Sequence, residues 1–239
     1  MNNHITQLKP IMLITGSSRG IGNYLANYYL NRGFLVYGCS RNDCDINHEN
    51  YNHIIADLSI EEEILNVFRI IRKEHKRLDI LINNAAINPA ILNVAFLPYK
   101  TIHNIYAVNV FAPIMFCREA VKLMMRNKFG RIINLGSMAT RHEVPGEALY
   151  TSTKASINAF TRVLSKEVAS SGITVNVLAP SVIDTELSKA INEIALKEVL
   201  NRNAIKKYGD LIDVSNTIDY LIKEESQSVT GQIIYLGGV

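Results

Sequence analysis

What this chain has little of narrows its class at once. Across 239 residues there are three cysteines, Cys39, Cys44 and Cys117, which form neither a CxxC pair nor an even set for disulfides. No uninterrupted apolar run approaches the roughly 20 residues needed to cross a bilayer, and Met1 to Pro10 lacks the apolar stretch of a secretory signal. A cytoplasmic location without a membrane partner is therefore expected. No dense Lys/Arg block or basic stripe interleaved with aromatics is present, and the formal net charge is only +3, which argues against nucleic acid as a partner. Low-complexity tracts are absent, as are repeats on the order of 20 to 50 residues, and no metal site is expected. What remains, 48% apolar and 20% charged residues, fits one compact domain over 1–239 with a sizeable core.

The most informative positive feature is Tyr150-Thr-Ser-Thr-Lys154, with Ser137 thirteen residues before the tyrosine. On a helix, residues four apart share a face, so Lys154 projects beside the Tyr150 phenol. A free tyrosine, with a pKa of about 10, exchanges protons poorly near neutrality. A neighbouring ammonium is expected to favour the phenolate and lower that value, fitting Tyr150 for general acid or base work. The Ser137 hydroxyl can hold a substrate carbonyl and steady the charge that develops on its oxygen. Taken alone, a YxxxK pair also reads as a solvated helical surface.

A second feature agrees with the first. Ile11-Met-Leu-Ile14 has the length of a buried strand, Thr15-Gly-Ser-Ser-Arg-Gly-Ile-Gly22 follows it, and Ile21, Leu25, Tyr28 and Tyr29 then mark one helical face. In such a strand, turn and helix, Gly16, Ser17, Ser18, Arg19, Gly20, Ile21 and Gly22 let the backbone approach a pyrophosphate at the positive helix end. A glycine-rich connection with no ligand is the plain alternative. Gly33 closes the helix, and Phe34 to Cys39 reads as a second strand. A carboxylate after that strand would bind the ribose hydroxyls of NAD and repel the extra phosphate of NADP. Ser40 and Arg41 stand there instead, and with Arg19 they point to NADP(H). Both arginines could also be ordinary solvated charges.

Strand and helix signals alternate along the rest of the chain. Strands are predicted at His53–Ala56, Asp79–Ile82, Arg131–Leu135, Ile173–Leu178 and Gly231–Leu236, and Ser59 with Glu62 has capping-box spacing before a helix carrying Ile64, Val67, Phe68 and Ile71. The fold class this implies is α/β, a Rossmann-type doubly wound parallel sheet of about seven strands with helices on both faces. Ligands of such sheets lie beyond the carboxyl ends of the strands.

Over essentially its whole length the chain resembles the short-chain dehydrogenase/reductase family, in its compact branch. The likeness rests on Thr15 to Gly22, Asn83-Asn-Ala-Ala86, Asn109, Ser137, and Tyr150 with Lys154. It implies hydride transfer between a nicotinamide and a carbonyl or secondary alcohol, with Asn109, Ser137, Tyr150 and Lys154 as the catalytic set. Further cofactor contacts are implied at Asp57 and Leu58 near the adenine, at Asn84, Ala85 and Pro180, and at Ile183 and Thr185 near the carboxamide. Ala86 and Ser181 stand where the family usually has glycine, and the chain stops at Val239 soon after Gly237 and Gly238.

Within the family the pattern is most similar to the 3-oxoacyl-acyl-carrier-protein reductases, a likeness shared with dehydrogenases of sugars, steroids and polyols. An acidic carrier would need basic groups near the mouth of the site. Arg126 and Lys128 could serve, whereas Ser171 replaces a further basic position. The segment around 181–210, with Leu187, Ile191, Ile194, Ala195 and Leu200, resembles a substrate lid and reads equally as ordinary packing. Thr140-Arg-His-Glu143 could be solvent loop or substrate contact. Apolar surface on the helices around Asn104–Met125 and Tyr150–Ser171 predicts a homodimer or homotetramer. A non-catalytic NADP sensor and a nucleic-acid role remain the other classes, and neither requires the four-residue set.

Overall fold

The computed structural model describes residues 9–88, 92–184 and 193–238. Seven parallel strands form one sheet: β1 (Ile11–Thr15), β2 (Leu35–Ser40), β3 (Tyr51–Ile55), β4 (Ile80–Asn83), β5 (Gly130–Leu135), β6 (Ile173–Ala179) and β7 (Ile233–Tyr235). Their order is β3-β2-β1-β4-β5-β6-β7. The chain winds outward from β1 to β3, returns to pair β4 with β1, and continues outward to β7. That reversal between β1 and β4 is the topological switch point, where such sheets open a crevice.

Alternation along β1 shows how the layers form. Ile11 and Leu13 join a core with Tyr37, Phe68 and Phe116. Met12 and Ile14 face the opposite side, with Leu25, Tyr29 and Val214. Both faces are covered, which is why these strands read as unbroken apolar runs. Helices α1 (Gly20–Leu30) and α8 (Leu211–Ile222) cover one face. The other is covered by α2 (Glu61–Glu74), α4 (Ala112–Asn127) and α6 (Ala148–Val168). Shorter helices are α3 (Tyr99–Tyr106), α5 (Ala139–His142) and α7 (Glu193–Arg202).

Two local expectations differ from the structure. Ser59 and Glu62 form no capping box: α2 starts at Glu61 with Ile60 as its cap residue. Ser59 instead gives both its backbone N–H and its hydroxyl to Asp57 Oδ1, at 2.9 and 2.7 Å. The aspartate two residues upstream competes successfully for the serine, as Asx turns do. The predicted helix through Asn104–Met125 is interrupted by a π turn over Ala107–Phe111. Pro113 has no N–H to return to the carbonyl four residues back, which is that of Asn109, so the helix widens there.

Candidate active site

The cleft begins where β1 ends. Thr15 Oγ1 accepts from the backbone N–H groups of Asn84 and Ala85, both at 3.0 Å, and Asn84 Nδ2 donates to the Thr15 and Gly16 carbonyls at 2.9 and 3.1 Å. These bonds clamp the glycine turn to the segment after β4. Gly16 has φ +69°, and a Cβ there would lie 2.9 Å from the Ala85 Cα. A Cβ on Gly22 would sit 2.2 Å from the Gly16 carbonyl oxygen, so that glycine is required for packing under the turn. Arg19, at the start of α1, is extended, and no side chain caps the helix. The first-turn N–H groups therefore keep their donors for a ligand in the cleft, which Ser18, Arg19, Gly20 and Ile21 line. This cradle fits a dinucleotide pyrophosphate. Ser17 is turned inward and accepts from the Tyr51 hydroxyl at 3.0 Å, and Gly22 is buried, so neither lines the cleft.

At the end of β2, Ser40, Arg41 and Asn42 line the same cleft, and Arg19 and Arg41 are both exposed. The Ser40 hydroxyl is already engaged, donating to the Asn42 carbonyl at 2.7 Å and lying 3.1 Å from His53 Nε2. The exposed guanidinium groups are the cationic groups there for an added phosphate. Asp57 and Leu58 line the wall beside them. The two Ser59 hydrogen bonds, helped by the Arg41 charge, hold the Asp57 carboxyl below its ordinary value.

Ser137, Tyr150 and Lys154 meet at the far end. The sharp exit from β5 is fixed by the Gly136 N–H, which donates to the Leu178 carbonyl at 2.7 Å. Ser137 follows directly, its Oγ accepts from the Ala139 N–H at 3.1 Å, and its hydroxyl stands beside the Tyr150 phenol. Lys154, buried one turn along α6, donates to the Leu135 carbonyl at 2.8 Å and lies 5.7 Å from the centre of the Tyr150 ring. Asn109 stands behind the cleft wall. Its side chain bonds both backbone groups of Ile87, at 2.9 and 2.8 Å, and Thr153 Oγ1 at 3.2 Å.

The electrostatics depart from the simple expectation of a lysine-lowered phenol. Burial pushes the Tyr150 phenol up to about 12, against the lowering effect of the neighbouring Ser137 hydroxyl, and the Glu147 charge adds to the rise. Burial also brings Lys154 down to about 8. Desolvation outweighs the ammonium, which is drawn toward the Leu135 carbonyl rather than the phenol oxygen.

Asn84, Ala85, Pro180 and Ile183 also line the cleft, whereas Thr185, Leu187 and Ile191 lie outside the described residues. Ile183 is held by a bridge to Gly209. In the lid segment, Val199 lines the cleft, and Arg202 Nη1 donates to the His142 carbonyl at 2.6 Å. The stretch 140–143 is the end of α5 and its cap rather than a loop, and it divides its roles. His142 lines the cleft, Arg141 lies over the Tyr235 ring at 4.9 Å, and Glu143 is exposed. Sequence reasoning missed Glu147, whose only signal was its place three residues before Tyr150 on the same helical face. Arg126 and Lys128 close α4 just before β5 begins. They sit at the amino edge of the sheet, opposite the cleft, so this chain does not present them at its own mouth. Among the described residues no group of His, Cys, Asp and Glu could hold a metal, and no helix is long and apolar enough to cross a membrane.

A glycine cradle at a switch point, ending in a serine, a tyrosine and a lysine, defines an NAD(P)-dependent oxidoreductase acting on carbonyl or CH–OH groups. The chain belongs to the short-chain dehydrogenase family, whose profile matches residues 10–195. It is 33% identical over 232 residues to a 3-oxoacyl-acyl-carrier-protein reductase, FabG, of Rickettsia felis, covering 95% of this chain and 94% of that protein. Among solved structures it is similar to ElxO with NADP bound, at 27% identity and a TM-score of 0.86, covering 96% of this chain and 97% of that one. A 4-hydroxyisoleucine dehydrogenase complexed with NADH is 30% identical with a TM-score of 0.83, covering 96% of this chain and 98% of that one.

Proposed function

We propose that this protein is an NADP(H)-dependent ketoreductase, with 3-oxoacyl groups on a carrier as the first substrate class to test. The observation that carries the reading is the meeting of Ser137, Tyr150 and Lys154 in the cleft that also holds the uncapped α1 start. When bound, the dinucleotide supplies or accepts the hydride. Tyr150 exchanges the proton with the substrate oxygen, and Ser137 orients that oxygen and stabilises its charge. Lys154 fixes the field around the phenol, and Asn109 holds the loop at Ile87 against α6 through Thr153. Gly16, Ser18, Arg19, Gly20 and Ile21 form the phosphate cradle, with Ser17 and Gly22 shaping it from behind. Asp57, Leu58, Asn84, Ala85, Pro180, Ile183 and Thr185 complete the cofactor contacts. NADPH oxidation with an acetoacetyl thioester tests the reading, and a folded, NADPH-binding protein that turns over no carbonyl compound would sink it.

Arg19 and Arg41, with no carboxylate at the end of β2, support NADPH over NADH. Arg41→Ala is expected to weaken NADPH by about tenfold, the loss of a charge-assisted hydrogen bond at an exposed site, and to leave NADH nearly unchanged. Fluorescence titration with both cofactors measures this, and equal affinities in the parent protein would reject it.

The reading treats 1–239 as one catalytic unit working in the cytoplasm, for which the three free thiols speak. Assembly is proposed as a homodimer or homotetramer. Supporting it are exposed apolar side chains on the two helices concerned, Phe111 (54% exposed) and Met125 (52%) at the ends of α4 and Val163 (58%) on α6. Assembly is also the way in which basic Arg126 and Lys128 could come near a neighbouring copy's cleft. Light scattering at micromolar concentration should give at least twice the chain mass of 26.8 kDa, and a monomer would refute the proposal.

A further inference from the structure

Glu147 is the cap residue of α6, and its carbonyl accepts from the Thr151 N–H at 2.8 Å. The short side chains that usually cap a helix bond the free N–H groups of the first turn, and the longer Glu147 side chain makes no such bond. It lines the cleft beside Ser137 and Tyr150, in a residue only 8% exposed, and no hydrogen bond to another described residue holds its carboxyl. The polar groups around it have other partners. His142 Nε2 is 2.9 Å from Asn203 Oδ1, Asn203 Nδ2 donates to Ser181 Oγ at 2.6 Å, and Lys154 is tied to Leu135. Arg141 lies over Tyr235 and Arg202 is held by the His142 carbonyl.

A carboxyl drawn largely out of water and held by no described residue is costly, and burial accordingly raises its pKa. It faces whatever enters the cleft beside Tyr150. We infer that Glu147 determines substrate specificity by accepting a hydrogen bond from a hydroxyl or ammonium group carried near the substrate carbonyl. The inference rests on the ketoreductase reading of the same cleft and turns its substrate class from plain 3-oxoacyl groups toward ketones that carry a hydrogen-bond donor. A plain 3-oxoacyl chain offers no such donor next to its ketone and would leave Glu147 buried and unmatched. A small hydroxylated or aminated ketone would satisfy it.

Butanone, hydroxyacetone and aminoacetone are matched in size and differ in the group beside the carbonyl, so NADPH oxidation with these three is the test. The parent protein should prefer a donor-bearing ketone over butanone by about tenfold or more in kcat/KM, because a site built to accept a hydrogen bond rejects an analogue that cannot make it. Glu147→Leu should abolish that preference, chiefly through KM. Glu147→Gln separates the two donors. It retains a preference for hydroxyacetone if the partner is a hydroxyl, and loses most of a preference for aminoacetone if the partner is an ammonium. Equal efficiency on all three ketones in the parent would overturn the inference. So would an equal fall on all three in Glu147→Leu, which would mean that Glu147 acts through Tyr150. Turnover of no ketone and no acetoacetyl thioester by a folded parent would instead sink the ketoreductase reading, and this inference with it.

Discussion

Tyr150→Phe is expected to lower reductase turnover by about a hundredfold to ten-thousandfold, the usual contribution of a positioned general acid, while NADPH affinity stays close to that of the parent. The ring is buried against the cleft wall, and phenylalanine keeps its packing while removing the hydroxyl placed beside Ser137 to deliver a proton. The loss should therefore appear in kcat and kcat/KM together, the signature of an interaction made in the transition state. With its pKa pushed up to about 12, the phenol holds its proton at neutral pH, the form a reductase needs. Steady-state kinetics with a good ketone and a titration of NADPH measure the two halves. Turnover near the parent rate, in a variant shown to be folded, would move the proton transfer to another group.

The strands themselves were legible because each interior strand is covered on both faces and so is an apolar run bounded by turn residues, as at Ile11–Thr15 and Ile173–Ala179. The pairing of Tyr150 with Lys154 was legible because helical spacing is fixed by geometry. The π turn at Asn109 left a trace in the sequence, Pro113 four residues on, but a proline near a helix start usually signals the first turn instead. The failed cap at Ser59 turned on a competition with Asp57 that spacing rules do not weigh. The direction of the Tyr150 shift depends on how tightly α6 packs on β5 and on which carbonyl the lysine reaches, and neither is written in a five-residue motif. Glu147 was hidden for a related reason. A glutamate before a helix looks the same in sequence whether it faces solvent or a cleft, and only tertiary packing distinguishes the two.

That packing also makes Lys154 costly to the fold, which leads to an opposed pair of effects in one variant. Lys154→Met should reduce turnover to near background and weaken NADPH, yet stabilise the protein itself at neutral pH. The lysine is 4% exposed, and burial lowers it from an ordinary 10.5 to about 8. Below pH 8 it is charged both folded and unfolded, and the native state bears the whole difference, on the order of 3 kcal/mol. Methionine of similar length removes that charge but also the charge-assisted bond to the Leu135 carbonyl, a loss of about 2 kcal/mol. A net gain of about 1 kcal/mol remains, equivalent to roughly 2 to 4 °C in melting temperature for a chain of this size. Between pH 8 and 10.5 the unfolded parent binds more protons than the folded one, so the parent's stability rises with pH relative to the variant. The advantage of Lys154→Met should accordingly be full at pH 7, shrink above pH 8, disappear at about pH 9 and reverse above it. Melting curves of both proteins at pH 7 and in the alkaline range read this directly, and a variant less stable than the parent at pH 7 would show that the buried ammonium is compensated within the fold. The expected trade of stability for activity is common where a site must hold a charge in a dry place. Here it would identify Lys154 as a residue kept for chemistry against the preference of the core.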